Sequence, residues 1–298
     1  MDWALVLSGG GARGIAHIGL LTALEELNFP KPSCIVGCSM GAIIGGLYSL
    51  GVSPSEMEYF FVSDFNVSDY VGAKQFNALP NISKILQLGS GLTNLITKLG
   101  ADTGERIFRL LKKLSKNKSF SDCYIPFYCN AVDICTGKEK VFSEGSIAAA
   151  MRASSAYPGV FCPFKSENTY FVDGCILNNT PVWIARKEGF SNILAITLGT
   201  FQHQELKSFM NGFDIIMRCL DCATHHYELL PEDYPTAVLD IDTKTKSIDF
   251  SNTRNLVNIG YSAVMQNEKM LNNFFNSGLL GNFYRRKLEK KTKERFLL

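Results

Sequence analysis

The chain of 298 residues predicts an α/β fold: a three-layer α/β/α arrangement around a mainly parallel central sheet, with a helical insertion. Three observations predict it. Short apolar runs alternate with stretches at helical spacing over short connections, the pattern of parallel strands covered by helices. The first two apolar runs, residues 3–7 and 34–36, each lead into a glycine-containing turn. Between about residues 53 and 121 helical segments replace the alternation, and the sheet pattern then resumes.

The elements follow in order. Residues 3–7 are a buried strand running into Ser8 and three glycines. Ile18, Leu21 and Leu24 mark a helix over residues 15–27, closed by Asn28 and Pro30. Residues 34–36 are the second strand and 40–50 the second helix. Ser53 followed by Pro54 is a helix start, because proline is tolerated at the first helical position. Ile82, Ile85 and Leu86, then Leu92, Leu95, Ile96 and Leu99, mark short amphipathic helices interrupted by Gly89 and Gly91. Residues 105–114 add a helix with a basic face (Arg106, Arg109, Lys112, Lys113). The sheet resumes with strands at 125–132 and 140–142, joined by a turn at Thr136 and Gly137. A helix at 146–152 and a strand at 169–172 follow, the latter running into Asp173 and Gly174. A helix at 181–188, a strand at 193–198, a long helix at 209–227, a strand at 237–241 and a helix around 257–271 complete the order. The reading is one domain over residues 3–275 and a basic C-terminal tail over 276–298.

Composition narrows the class. Hydrophobic residues at 46% and charged residues at 19% fit a globular core and exclude wholesale disorder. A net charge of +2 is too small to make nucleic acid the main partner. The charge is uneven: residues 284–298 hold seven basic residues against Glu289 and Glu294. Such a tail, ending in Phe296, Leu297 and Leu298, suits an anionic membrane surface. A solvated, partly helical end is the commoner meaning of a charge run and is preferred, with peripheral membrane contact as the alternative. Asp2 stands where a signal peptide carries positive charge, and nine irregularly spaced cysteines suit reduced thiols. A cytosolic compartment is expected. Cys219 and Cys222 have no second pair to complete a zinc site, so neither metal nor other cofactor is expected. Residues 33–55 lack charge and have the length of a bilayer span, but Pro32, Pro54 and five glycines favour a buried strand, turn and helix.

Three motifs carry chemistry. Residues 9–14 read GGGARG between a strand and a helix, and a glycine nest at a helix N-terminus binds negative charge. Gly9, Gly11 and Gly14 match the dinucleotide pattern, but that reading needs an acid after the next strand to hold the ribose. That strand instead runs into Gly37, Cys38 and Ser39. An oxyanion-binding loop is the better reading. The second motif, G-x-S-x-G at Gly37, Ser39 and Gly41, places a serine on a sharp strand-to-helix turn with its hydroxyl exposed. The third is Asp173-Gly174 after an apolar strand. Each of the three follows a predicted strand, and ligands of open α/β sheets bind beyond the strands' carboxyl ends. Of the four histidines, His17 lies in the first helix, beside the glycine loop. The order Ser39, Asp173, then His225 or His226 copies that of an α/β-hydrolase triad, yet both histidines fall inside a continuous helical stretch. A dyad of Ser39 and Asp173 is therefore favoured.

These residues resemble the patatin-like phospholipases, particularly the bacterial branch related to the catalytic domain of neuropathy target esterase. The likeness runs from about Trp3 to Tyr261. It includes GGGARGIAHIG (9–19), GCSMGAIIGGLYSLG (37–51), ASSAYP (153–158) with Phe161 and Pro163, and NNTPV (178–182) after Asp173-Gly174. The resemblance implies a patatin-like fold and a serine–aspartate dyad, Ser39 and Asp173. It also implies an oxyanion hole at Gly9, Gly10 and Gly11, with Arg13 stabilising the loop, and no cofactor. Gly14, Gly37, Gly41 and Gly174 carry over as motif glycines. The implied activity is hydrolysis of acyl esters of phospholipids or other lipids, as phospholipase A, lysophospholipase or carboxylesterase. One departure stands out: Cys175 follows Asp173-Gly174 where the family usually has Gly or Ala.

Overall fold

Leu5 and Leu7 face one side of strand β1 (Ala4–Leu7), Ala4 and Val6 the other, and all four are fully buried. A strand buried on both faces needs cover on both, which is the condition for a parallel sheet between helix layers. The computed structural model describes residues 1–70, 102–166, 168–199, 205–206, 215, 218–223 and 234–296. In it β1 pairs in parallel with β2 (Cys34–Gly37) and β7 (Ile193–Thr197), β2 with β3 (Phe127–Asp133), and β7 with β8 (Ala237–Asp240). The hairpin partner β4 (Lys138–Phe142), the short β5 (Phe164–Ser166) and β6 (Thr169–Asp173) run antiparallel to their neighbours. The order is β5-β6-β3-β2-β1-β7-β8, with β4 on β3.

The layers match the alternation along the strands. Leu5, Leu7, Ile35, Leu194 and Ile196 join helices α1 (Ala16–Glu26) and α2 (Met40–Ser49) and the C-terminal helices in the larger core. Ala4, Val6, Val36, Ile193 and Ala195 meet Val182, Ile184 and Ala185 of a later helix on the opposite face. The expected fold class, with a mainly parallel sheet between helix layers, is what the structure has.

Inside the insertion, α3 (Pro54–Tyr59) starts on a capping box between Ser53 and Glu56. A single wide turn (Phe60–Asp64), α4 (Val67–Tyr70) and α5 (Glu105–Leu114) follow. The stripe of Ile82, Ile85, Leu86, Leu92, Leu95, Ile96 and Leu99 lies outside the described residues, as do His203, His225, His226 and most of the expected helix at 209–227. Beyond β3, α6 (Ile147–Ser154) and α7 (Val182–Lys187) stand near their expected places.

Two local expectations change. The first helix starts with a tight 3₁₀ turn over Gly11–Ile15, so the glycine loop is itself its entrance. The helix expected around 257–271 is two, α8 (Thr253–Gln266) and α9 (Glu268–Phe275). Asn267 divides them: its backbone leaves the helical region (φ −108°, ψ 15°), while its N–H and its side-chain amide both donate to the Ala263 carbonyl, at 3.2 and 2.9 Å. The C-terminal stretch is a helix, α10 (Gly278–Phe296), docked through Arg285. That guanidinium donates to the Phe274 and Asn276 carbonyls at 2.9 and 2.7 Å. The uncharged residues 33–55 hold β2, a sharp turn and α2. No helix among the described residues is long and apolar enough to cross a membrane.

Candidate active site

Ser39 occupies the two-residue corner of Cys38 and Ser39 between β2 and α2, with φ 52° and ψ −120°. A non-glycine residue at positive φ is strained and persists only where its surroundings hold it. Here the holding is close packing. A Cβ on Gly41 would lie 2.2 Å from the Leu7 carbonyl oxygen, so α2 starts in contact with the end of β1. The Ser39 N–H donates to Ser154 Oγ at 2.9 Å. The other motif glycines are also contact points: Gly14 meets Met40, Gly37 meets Gly41 and Ala42, and Gly174 meets the Asn130 side chain.

Asp173 reaches this corner by a route the sequence did not suggest. Cys129 of β3 pairs with Gly37 on one edge and Phe142 of β4 on the other. Two residues on, Ala131 pairs with Asp173 of β6 and with Lys140 of β4. Strands β2 and β6 therefore share one edge of β3 and run toward each other. Their carboxyl ends meet, although β6 is antiparallel to β3. The general rule for parallel sheets pointed to the right place for the wrong reason.

At the meeting point Ser39 Oγ donates to Asp173 Oδ2 at 2.6 Å. The Cys175 N–H donates to Asp173 Oδ1 at 2.9 Å, and the Cys38 thiol lies 3.7 Å from the same oxygen. Asp173 is fully buried. Burial raises its pKa to about 6, against the opposing pull of hydrogen bonds from Ser39 and Cys175. The carboxyl is thus more basic than the ordinary aspartate value of about 3.9.

The glycine loop lies beside Ser39, and a Cβ on Gly9 would come within 3.0 Å of Ser39 Cβ. The Gly9 N–H already donates to the Asn179 carbonyl at 3.2 Å. No acceptor among the described residues takes the N–H groups of Gly10 or Gly11. Gly11 has φ 56°, and a Cβ there would strike the Ser247 carbonyl at 2.1 Å. Arg13 braces the loop, with Nε 3.3 Å from the Gly10 carbonyl and Nη1 3.3 Å from that of Leu198. His17 is buried at its base with Nε2 2.9 Å from the Ser8 carbonyl; burial lowers its pKa to about 4.

A cleft opens over Ser39 and the loop. One side is apolar, with Ile43, Phe65, Val67, Ile107, Phe161 and Phe250; Arg13, Tyr157, Asn179 and Asp221 supply polar groups. Sequence reading nominated neither Phe65 and Phe250 nor Asp221, because nothing local separates them from core or surface residues. Behind Phe161, the buried Arg152 donates to the carbonyls of Thr103 (3.1 Å), Gly104 (3.2 Å) and Cys162 (2.8 Å). Its guanidinium lies 5.2 Å from the Phe161 ring centre.

Known proteins resemble this chain over the same region. Residues 5–186 match the family model described as patatin-like phospholipase. The lysophospholipase NTE1 of Cryptococcus neoformans var. neoformans is 32% identical over 197 residues, 66% of this chain and 11% of that protein. The lysophospholipase NTE1 of Saccharomyces cerevisiae is 31% identical over 216 residues, 71% of this chain and 12% of the relative. The chain thus matches little more than a tenth of these relatives' length. Among solved structures, VipD from Legionella pneumophila is similar at a TM-score of 0.49 and 16% identity, over 89% of this chain and 66% of that one. The family match runs from β1 into α7 and contains the glycine loop, the Ser39 corner and Asp173, and on that match the chain belongs to the patatin-like phospholipase family.

Proposed function

We propose that the chain hydrolyses carboxylic esters of lipids, phospholipids or lysophospholipids, through an acyl-enzyme on Ser39, with Asp173 as the only side-chain base. The observation that carries this reading is the 2.6 Å hydrogen bond from Ser39 Oγ to a buried Asp173 carboxylate, beside loop N–H groups that meet no acceptor among the described residues. Ser39 Oγ attacks the ester carbonyl carbon while its proton passes to Asp173 Oδ2. The Gly10 and Gly11 N–H groups receive the oxyanion, each such donor being worth about 3 kcal/mol in the transition state. Gly9, whose N–H is engaged, keeps the loop close to Ser39. Collapse expels the alcohol, which takes the proton from Asp173. Water then attacks the acyl-enzyme, losing a proton to the same carboxylate; collapse breaks the Oγ–acyl bond, Ser39 Oγ recovers the proton from Asp173, and the fatty acid leaves. The raised pKa of Asp173 supports its part, since a base works best with a pKa near the working pH.

The lipid class rests on the family and on the relatives' activity; the apolar side of the cleft suits an acyl chain. Peripheral membrane contact has support in α10, where Leu279 is 89% and Phe283 61% exposed and Arg286 and Lys287 are exposed nearby. Sedimentation with anionic and with neutral vesicles tests it; equal recovery in the supernatant from both counts against it. The hydrolase reading is tested with a fluorophosphonate probe. Labelling that disappears in Ser39→Ala is expected, and an unlabelled parent chain would point instead to a non-catalytic anion-binding module.

A further inference from the structure

The peptide unit joining Ser8 to Gly9 is held from two sides. Its carbonyl is 2.9 Å from His17 Nε2, and its N–H donates to the Asn179 carbonyl at 3.2 Å. A peptide unit is planar, so bonds on its two opposite edges fix its rotation. The plane leads directly into Gly10 and Gly11, which have no side chains to set their own direction. Helix α2 adds a third constraint, since a Cβ on Gly41 would lie 2.6 Å from the Ser8 carbonyl oxygen.

We propose that His17 is a positioning residue for the oxyanion loop, donating from Nε2–H to the Ser8 carbonyl so that Gly10 and Gly11 face the substrate oxygen. The inference rests on the hydrolase reading above and adds to it a residue that never touches the substrate. A carbonyl oxygen can only accept, so the proton sits on Nε2 and Nδ1 is left with its lone pair. Nδ1 is buried and has no hydrogen-bond partner among the described residues. A buried imidazole with one unpartnered nitrogen is a poorer filler than an apolar side chain of similar size. Packing therefore does not account for a histidine at this place, whereas the bond to Ser8 does. Burial keeps the ring neutral, which preserves the donor and acceptor pattern. His17 is fully buried and its Nε2 is committed to Ser8, so it is not the base.

Three substitutions separate positioning from packing. Glutamine can bring an amide N–H to the place of Nε2; asparagine and leucine cannot. His17→Asn and His17→Leu are expected to lower kcat about 100-fold, the scale of a misplaced catalytic geometry. KM should stay within about twofold, because ground-state binding is untouched. His17→Gln should recover most of kcat, and its pH–rate profile should keep the parent's inflection. Folded Asn and Leu variants with the parent's kcat would overturn the proposal, as would a profile displaced in the Gln variant. The parent chain gives a check that no folding defect can blur. Long-range ¹H–¹⁵N spectra of the His17 ring should show the Nε2–H tautomer, unchanged between about pH 5 and pH 9. An Nδ1–H tautomer cannot donate to Ser8 and sinks the idea. A parent chain without Ser39-dependent ester turnover would sink the hydrolase reading and this role together. An active parent with indifferent His17 variants would sink this role alone.

Discussion

Ser39 Oγ and Asp173 Oδ2 lie 2.6 Å apart although 134 residues separate them in the chain, because β2 and β6 meet end to end along one edge of β3. The contact is set by register: Gly37 sits opposite Cys129 and Asp173 opposite Ala131. A one-residue slip of β6 would turn Asp173 to the other face of the sheet. The two groups are thus held by backbone pairing rather than by their own side-chain flexibility, and the first consequences concern the carboxylate.

Activity should follow the ionisation of Asp173. The base must be unprotonated to accept the serine proton, and its pKa is raised to about 6 by burial. kcat/KM for a soluble ester should therefore rise through about pH 6 and level off above it. Asp173→Asn should lower kcat at least about 100-fold, the lower end of what a general base contributes. Stopped initial rates across a buffer series measure both. An inflection near pH 4, or an Asn variant of undiminished rate, contradicts the assignment.

The same raised pKa has a stability consequence of opposite sign to that of a salt-bridged aspartate. In the unfolded chain Asp173 titrates at about 3.9, in the folded chain at about 6, so the folded state binds the proton more tightly. The protonated carboxyl is accommodated fully below the unfolded pKa. That stability is lost as pH rises through 6, by an amount of the order of 3 kcal/mol. Asp173→Asn should then melt higher than the parent at pH 8, with a much smaller gap at pH 4.5. Paired thermal melts at the two pH values test this, and a gap that does not change with pH rejects it.

The glycine loop should not tolerate a methyl group. Gly11→Ala meets two penalties: a positive φ, costing about 1 kcal/mol for a residue with a side chain, and a Cβ 2.1 Å from the Ser247 carbonyl. The backbone must shift, and with it the Gly11 N–H. Loss of one donor predicts a kcat about 100-fold lower or less, in a chain destabilised by roughly 1–3 kcal/mol. Titration with denaturant and steady-state kinetics read the two effects separately. Unchanged kcat in a folded Gly11→Ala chain would remove Gly11 from the oxyanion site.

Chain-length preference should lie with the aromatic side of the cleft. Phe65 and Phe250 are 5.7 Å apart by ring centres and both line the cleft. Phe250→Ala removes apolar contact surface that a long acyl chain would cover and an acetyl group would not. One to three kcal/mol of lost contact predicts a drop of about 10- to 200-fold in the preference for long-chain over acetyl esters. A series of p-nitrophenyl esters shows it directly. A uniform loss over all chain lengths would place the acyl chain elsewhere.

Much of the catalytic reading was legible in the residues themselves. Gly37, Ser39 and Gly41 announce a strand-to-helix corner because a serine at positive φ needs neighbours without side chains. The strands of β1 and β2 are legible because burial on both faces demands continuous apolar runs. The strand β5 was missed because three residues carry too little periodicity to register. The break at Asn267 escaped notice because an asparagine leaving helical backbone angles (φ −108°, ψ 15°), rather than a glycine or proline, marks it.

Residue order established the alternating fold, the glycine loop and the serine corner, since each leaves a mark within a few neighbouring positions. Tertiary structure alone decided that β6 enters antiparallel and meets β2 on β3, that Asp173 is buried enough for its pKa to rise to about 6, and that Gly9 is already engaged while Gly10 and Gly11 meet no acceptor among the described residues. The division has a physical cause. Backbone conformation and amphipathic pattern are local and written in neighbouring residues, whereas desolvation and long-range hydrogen-bond partners depend on which distant segments the fold brings into contact.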